Sequence, residues 1–416
     1  MKWKACAQSD ELTSDEWVEW DRLIAENGGG FVHLDSRCVQ ALLMSEERRA
    51  RAIRWFGESG DLLGLAVVEE AHAESHNLAG HLQSDNWLFS TAYRWLHGAD
   101  GVLRFPVRVM GALLGSGEPG YCFATGVPDD EAKAHAAEAL KALPVIDGFV
   151  PRAHLIKDFR VGFEAERVAG GQSWLSGWTD LEFDPYMRVP VNPAWKDLSD
   201  YMAELKTKSR TKVKRILSCS DDCEIQELTL SEVIERAHEL ERLYREVYDE
   251  AGFRLGTLRA QDLVETKKSW GHEFRVCTLV LKGEVLGFQC GFLTTQKVEA
   301  FFVGFDRGRH KELMLYQRML LEFIRWGIEM GAQEVAMGRT ALDIKSFVGA
   351  LPERLACVVR FRNPMLNILA RLAARWSQPM LGPIKRPWRQ DAFAMQLDSS
   401  EVHSAIHSAT KISSTT

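Results

Sequence analysis

Residues 298–313 decide how this chain is read: Val298-Glu299-Ala300-Phe301-Phe302-Val303-Gly304-Phe305-Asp306-Arg307-Gly308-Arg309-His310-Lys311-Glu312-Leu313. Five of the first eight are valine or phenylalanine, a composition that suits a pleated, half-buried strand. Residues 306–312 are polar and read as a loop. A helix is expected from Leu313 to Met330, where Met314, Met319, Leu320, Phe323, Ile324 and Ile328 recur on one side and Gly331 stops it. A last strand over 334–337 runs into Gly338-Arg339. Strand, polar loop, helix and strand in that order make an α+β mixed-sheet unit. The unpaired N–H groups where the loop opens the helix attract anions.

Working outward, residues 276–280 and 288–293 flank Gly283-Glu284-Val285-Leu286-Gly287, and the first half of the chain repeats the arrangement. There, residues 52–56 precede Gly60-Asp61-Leu62-Leu63-Gly64 and residues 65–68 follow it. Charged turn residues between apolar runs signal a hairpin in both places. Helices are expected ahead of each hairpin, over 15–27 and over 230–249, the latter with Val233, Ala237, Leu240, Leu243 and Val247 at helical spacing. The chain therefore reads as an α+β protein of two tandem lobes, each a mixed, mostly antiparallel sheet flanked by helices. The lobes are expected over 1–180 and 181–355, the second with a basic helix at 200–217. A basic amphipathic segment over 356–395 and a disordered tail over 396–416, rich in Ser, Thr and His, follow.

Composition bounds the function. With 416 residues, 46% of them hydrophobic, the chain can fill two cores. The opening MKWKACAQSDELTSDEW has no apolar run behind its lysines, and no later run approaches the roughly 20 apolar residues of a spanning helix, so a cytoplasmic protein is expected. Of eight cysteines only Cys219 and Cys223 lie close, without a second pair or histidines, so free thiols and no metal are expected. A net charge of -7 speaks against DNA as a partner, and any anion binding falls to local basic clusters.

The hairpin GEVLG, the stretch EAFFVGFDRGRHKELMLYQRML and the closing MGRTALDIKSFVGA resemble the second lobe of GNAT-superfamily proteins of the Fem-type aminoacyltransferase and BioF-like acetyltransferase groups. The segment DYMAELKTKSRTKVKRI, residues 200–216, is similar to the basic helix that those proteins place between their lobes. The resemblance covers roughly residues 30–364. It implies tandem GNAT-like lobes in a bacterial N-acyltransferase that holds no cofactor of its own and takes an acyl-CoA as co-substrate. One departure stands out. Where an acetyl-CoA-binding lobe carries a Q/R-x-x-G-x-G/A loop, this chain reads DRGRHKEL, with Gly308 alone. Arg307, Arg309, His310 and Lys311 would then hold the donor, and an acyl carrier protein or an aminoacyl-tRNA fits equally.

Amide formation on a thioester or ester needs a base for the ammonium, donors for the oxyanion and an acid for the leaving group. Glu299 and Asp306 flank the central strand and are the carboxylates placed to act as base; the plain alternatives are a solvated strand residue and a helix cap. Tyr316 stands where the resemblance implies a tyrosine near the leaving thiolate, with packing as its alternative. Gly304 permits a splayed backbone whose N–H meets a carbonyl, or an ordinary bulge. Arg339 and Lys345 follow the last strand, where the resemblance opens its site; each would hold a phosphate or carboxylate, with plain surface charge as the alternative. Tyr248, with Gly252 and Phe253, would wall the acceptor.

The basic helix sets Lys206, Arg210 and Lys214 at i, i+4 and i+8 with Lys208 and Lys212 alongside, while Met202, Leu205, Ser209, Val213 and Ile216 trace the opposite stripe. Like charges at that spacing repel, so a counter-anion is expected; the plain alternative is a solvated face, but one sign concentrated over ten residues of an acidic chain favours a phosphate-bearing ligand. From Arg354 to Gln390 arginines and lysines recur among apolar residues with no Asp or Glu, a pattern that suits peripheral contact of 356–390 with an anionic membrane or docking on the second lobe. Three functions are open on these features: transfer from a thioester to an amine of a lipid or envelope building block, such as a long-chain base; transfer from aminoacyl-tRNA onto a peptidoglycan precursor; or a non-catalytic accessory lobe in lipid or polysaccharide export.

Overall fold

The computed structural model describes residues 1–74, 104–160, 175–182, 184–248, 256–376 and 384–397. The chain divides into two compact units. In the first, β1 (Lys2–Cys6) is followed by α1 (Ser14–Glu26), α2 (Ser36–Met44), β2 (Arg49–Phe56), β3 (Leu62–Glu74), β4 (Arg104–Met110), β5 (Tyr121–Phe123), α3 (Asp129–Ala142), β6 (Ala153–Arg160) and β7 (Thr179–Glu182). Thr13 starts α1 through a capping box, its hydroxyl accepting from Glu16 N while the Glu16 carboxylate accepts from Thr13 N at 2.8 Å. That start turns Trp17, Trp20, Leu23 and Ile24 inward. The hairpin expected at 52–68 is β2–β3, closed where Gly57 N donates to Asp61 O at 2.9 Å.

The second unit runs through β8 (Tyr186–Pro190), α4 (Leu198–Ala203), α5 (Thr207–Cys219), β9 (Glu224–Glu227), α6 (Leu230–Tyr248), α7 (Ala260–Trp270), β10 (Phe274–Leu281), β11 (Glu284–Leu293), β12 (Lys297–Phe305), α8 (Arg307–Leu313), α9 (Leu315–Met330), β13 (Glu334–Ala336), α10 (Leu342–Phe347) and β14 (Leu351–Glu353). Its sheet has the order β14-β8-β13-β12-β11-β10-β9, antiparallel except for β12–β13. The turn of its hairpin is Lys282-Gly283, both at positive φ (52° and 84°), so Glu284 to Gly287 belong to β11 and not to the turn. α9 buries Met319, Leu320, Phe323, Ile324 and Ile328 against this sheet.

The boundary expected at 356 falls inside a sheet. β15 (Leu355–Phe361) lies between β6 and β7 in the first unit, whose order is β1-β2-β3-β4-β6-β15-β7 with β5 on β3. Leu355, Ala356, Cys357 and Val358 are buried there, so this run is core and not an amphipathic surface segment. α11 (Pro364–Trp376) also belongs to the first unit, whereas residues 384–397, ending in α12 (Phe393–Leu397), belong to the second. The tail from 398 onward lies outside the described residues.

The helix expected over 200–217 is two. After α4, the chain breaks at Glu204 to Lys206, where Arg389 N donates to Glu204 O at 3.0 Å and Lys206 N donates to Pro387 O at 2.8 Å. The Glu204 carboxylate holds the break in place by accepting from Asn192 Nδ2, Trp195 Nε1 and Phe393 N at 2.7–2.9 Å. Those pairings remove backbone groups that a continuous helix would use. No helix among the described residues is long and apolar enough to cross a membrane.

Candidate active site

β12 and β13 run parallel for three rungs only: Lys297 opposite Glu334, Val298 opposite Val335, Glu299 opposite Ala336. Beyond them each strand keeps its other neighbour. The chain after β13 stays with β8, since Met337 N donates to Met187 O at 2.7 Å and Met187 N to Gly338 O at 3.1 Å. β12 stays with β11, paired through to Phe305 opposite Gly287. The two strands therefore fork after Glu299. A bulge falls at the fork, because Cys290 faces Phe302 and Gly291 faces Ala300, leaving Phe301 out of register. Ala300, Phe301, Phe302 and Val303 are half-buried, while the residues on either side of them in β12 are buried.

Glu299 stands at the apex of the fork, 3% exposed, with Lys297 Nζ at 2.8 Å from its Oε2. Asp306 lies past the other end of the strand. Seven residues of strand rise set the two about 23 Å apart, so they cannot share one proton relay. Asp306 is the N-cap of α8, accepting from Arg309 N at 2.9 Å. The residues expected as a polar loop are thus a helix, and its start is already occupied by carboxylates: Arg307 N donates to Glu246 Oε2 at 3.2 Å and Arg309 N to Asp306 Oδ1 at 2.9 Å. Amides so paired no longer form the open cradle that an anion needs. Arg307 is exposed, and Arg309 is 3.7 Å from Glu312 Oε2.

Met314 takes a left-handed conformation (φ 53°), which separates α8 from α9. At this corner His310 stacks on Phe305 with ring centroids 4.6 Å apart, and Phe305 lies 6.0 Å from Tyr316. Tyr316 N donates to His310 Nδ1 at 3.4 Å. Burial raises the Tyr316 phenol above its ordinary value, and burial lowers His310, with Lys311 and Arg307 adding to the effect. Tyr316 therefore keeps its proton and His310 stays neutral near pH 7.

Gly304 is neither splayed nor bulged. It pairs in register with Phe288, and a Cβ there would come within 2.5 Å of Tyr244 N on α6, so the missing side chain lets that helix backbone settle on the sheet. Tyr244 packs edge-on against Phe302 at 5.1 Å and against Tyr248 at 5.1 Å, placing half-buried Tyr248 beside the opened flank. Gly252 and Phe253 lie outside the described residues.

Arg339 and Lys345 meet on the β13 side of the fork. Arg339 Nη1 donates to Asp184 O at 2.6 Å, and Lys345 Nζ donates to Arg339 O. Lys345 is 4% exposed, and burial drives its pKa down to about 7 although Asp184 raises it. The loop between them is strained, with Thr340 and Ala341 both at positive φ.

On α5, Lys208 and Lys214 are exposed and Arg210 is half-buried, while Val213 and Ile216 face inward. No carboxylate among the described residues pairs with these three cations. Lys212 Nζ lies 4.0 Å above the Phe347 ring, and Lys206 is the N-cap and donates to Arg386 O at 3.0 Å. Sequence reasoning missed Gln289. It is fully buried on β11 opposite Val303, and neither side-chain amide atom has a hydrogen-bond partner among the described residues. A glutamine inside an apolar strand was the available signal.

No family model and no curated protein matches the chain by sequence. Solved structures do. FemX is 11% identical over 89% of this chain and 100% of its own, with a TM-score of 0.51. L-PGS from Bacillus licheniformis is 10% identical over 88% and 98%, with a TM-score of 0.47. N-Myristoyltransferase of Saccharomyces cerevisiae with bound myristoyl-CoA is 9% identical over 86% and 78%, also at 0.47. At such identities a likeness speaks for fold alone, and of these three the weight rests on FemX. Two mixed, mostly antiparallel sheets, the order of elements around the β12–β13 fork and the match to FemX together give this chain the fold of FemX.

Proposed function

We propose that the protein is an N-acyltransferase that moves an acyl group from a thioester donor, acyl-CoA or acyl carrier protein, to an amine of a lipid or envelope building block, a long-chain base among them. The fork carries this reading. It leaves backbone and half-buried side chains of β12 open beside a bulge, next to a carboxylate at its apex. An acyl chain laid along Ala300 to Val303 would find apolar contact there. In this reading Glu299 takes the proton from the attacking ammonium, the Gln289 amide meets a polar group of the bound substrates, and the leaving thiolate takes its proton from water. Tyr316, packed with Phe305 and His310 at the other end of β12, borders the site and does not act on the same carbonyl. Tyr248 borders the acceptor. Arg339 and Lys345 lie on the far side of the fork, where an anionic part of a substrate would sit. Lys208, Arg210 and Lys214 face the phosphate of the donor.

A second reading has aminoacyl-tRNA as donor, with a peptidoglycan precursor as acceptor. One observation favours it: the start of α8 is filled by Glu246 and Asp306, while α5 keeps cations without carboxylate partners among the described residues. Purified protein given a series of acyl-CoAs, acylated carrier protein and amino-lipids is expected to release free thiol and form amide, and Glu299→Gln is expected to lower kcat on the order of 10²-fold. Absence of thiol release with every donor, together with consumption of aminoacyl-tRNA, would overturn the thioester reading in favour of the second.

A further inference from the structure

The first unit holds a concentration of cations that the fork does not use. A cavity of about 640 Å³ opens between the end of α3, the residues before β6, the end of β15 and α11. Lys141, Arg360, Arg362 and Arg371 line it, His154 lies on its wall, and no carboxylate among the described residues does. A neighbouring cavity of about 630 Å³ shares Pro151 and Arg362 with it and adds Arg49 and Arg152. Arg108 also lines the first cavity but is fully engaged, donating to Glu70 Oε1 at 2.8 Å and to the carbonyls of Leu143 and Pro144 at 2.7 and 3.0 Å. Lys141, Arg360, Arg362 and Arg371 pair with no carboxylate among the described residues. The accumulated charge acts on His154, whose pKa burial and then Arg108, Arg360, Lys141 and Arg362 hold down to about 4. Arg360 lies against Gly177 at φ 79°, where a Cβ would fall 2.6 Å from its Nη1.

Apolar side chains stand in solvent around the mouth of this cavity. On α11, Met365, Ile368, Leu369 and Leu372 follow i, i+3, i+4, i+7 spacing and are 72%, 57%, 50% and 36% exposed. Val145 and Val150, ahead of β6, are 50% and 44% exposed. The helix does not swing freely, because the Asn367 amide exchanges hydrogen bonds of 2.7 Å with both the N–H and the carbonyl of Phe361. A solvated charge stripe has no reason to be bordered by exposed Met, Ile and Leu, and proteins that stay in solution break such patches. Cations held together without counter-ions beside an outward apolar helix face match the chemistry of an anionic lipid surface on both counts.

We propose that this face of the first unit docks on an anionic phospholipid bilayer, with Met365, Ile368, Leu369 and Leu372 entering the acyl boundary and a headgroup phosphate held by Lys141, Arg360, Arg362 and Arg371. The proposal goes beyond the transfer reading, since no residue of the fork takes part and its test needs no turnover.

The full chain is sedimented with vesicles of phosphatidylcholine alone and of phosphatidylcholine with phosphatidylglycerol. Pelleting is expected with the anionic vesicles, weakening as salt rises, and not with the neutral ones. The triple variant R360Q/R362Q/R371Q is expected to lose roughly fivefold in partitioning per charge, on the order of 100-fold together. The pair I368S/L369S, all charges kept, is expected to lose at least about tenfold. Far-UV circular dichroism of both variants separates loss of binding from loss of fold. Equal pelleting with neutral vesicles, or insensitivity to either variant, overturns the proposal. Tighter binding of bulk tRNA than of anionic vesicles, abolished by the same triple variant, overturns it in favour of an RNA surface, and binding of inorganic phosphate without vesicle affinity reduces it to an anion pocket.

Discussion

Lys345 shows what a single residue can report. Its ammonium is buried, donates to the Arg339 carbonyl, and has its pKa lowered from 10.5 to about 7, first by burial. Because the folded value lies below the unfolded one, between pH 7 and 10.5 the unfolded chain binds a proton that the folded chain does not. The penalty is full below pH 7 and is relieved as pH rises to 10.5, a matter of a few kcal/mol at about 1.4 kcal/mol per unit. Lys345→Met is therefore expected to be more stable than the wild type to urea at pH 6 by about 2 kcal/mol or more, with the gap closing towards pH 10. Equal or lower stability at pH 6 would mean that the hydrogen bond to Arg339 outweighs desolvation. A residue kept at such a cost in the folded state has the mark of a functional group.

At the scale of elements, the packing of α9 decides whether the second sheet has a stable face. Glu322, 2% exposed on α9, accepts from Arg318 Nε at 2.8 Å and Arg325 Nε at 3.0 Å, and Arg318 reaches on to Ser220 O and Oγ at 3.2 and 3.1 Å beyond the end of α5. Removing the carboxylate strands a guanidinium whose side chain is 13% exposed. Glu322→Ala is expected to cost about 3 kcal/mol, read from chemical denaturation, and Glu322→Leu combined with Arg318→Met to recover much of it, since the penalty lies in the unpaired charge. The capping of α8 belongs to this scale too. Asp306 reads in the sequence equally as a base and as a cap, and what separates the two is Glu246, a residue of another helix 61 positions away that takes the next amide.

For the whole molecule, the order of elements along the chain and the order of strands in the sheets do not coincide. The first unit is completed only by β15, which enters between β6 and β7 with Leu355, Ala356, Cys357 and Val358 buried. A chain ending after Arg354 leaves β6 and β7 without their shared partner. It is expected to lose cooperative unfolding of the first unit, seen as a missing or broadened thermal transition, while a fragment of 1–180 alone is expected to stay largely unfolded by circular dichroism and hydrogen exchange. A fully folded 1–180 fragment would show that β15 is an accessory to that sheet.

Much of this was legible in the residues. Period-2 and period-3.6 patterns located both hairpins, α6, the strand β12 and the apolar side of α9, because burial on one face imposes a repeat that any reader of the sequence can find. The resemblance of motifs within residues 283–350 and of residues 200–216 led to the same fold. Three things were decided only in three dimensions. The fork at Glu299 exists because β12 and β13 each keep a different neighbour, and pairing of that kind leaves no local periodicity. The break at Glu204 is made by partners nearly 190 residues further on. The cationic cavity of the first unit gathers Lys141, Arg360, Arg362 and Arg371 from a helix, a strand and a second helix separated by more than 200 positions. Local sequence carries the cost and gain of a residue's own conformation, whereas charge clusters, strand exchange and shared carboxylates depend on contacts whose partners only the folded chain brings together.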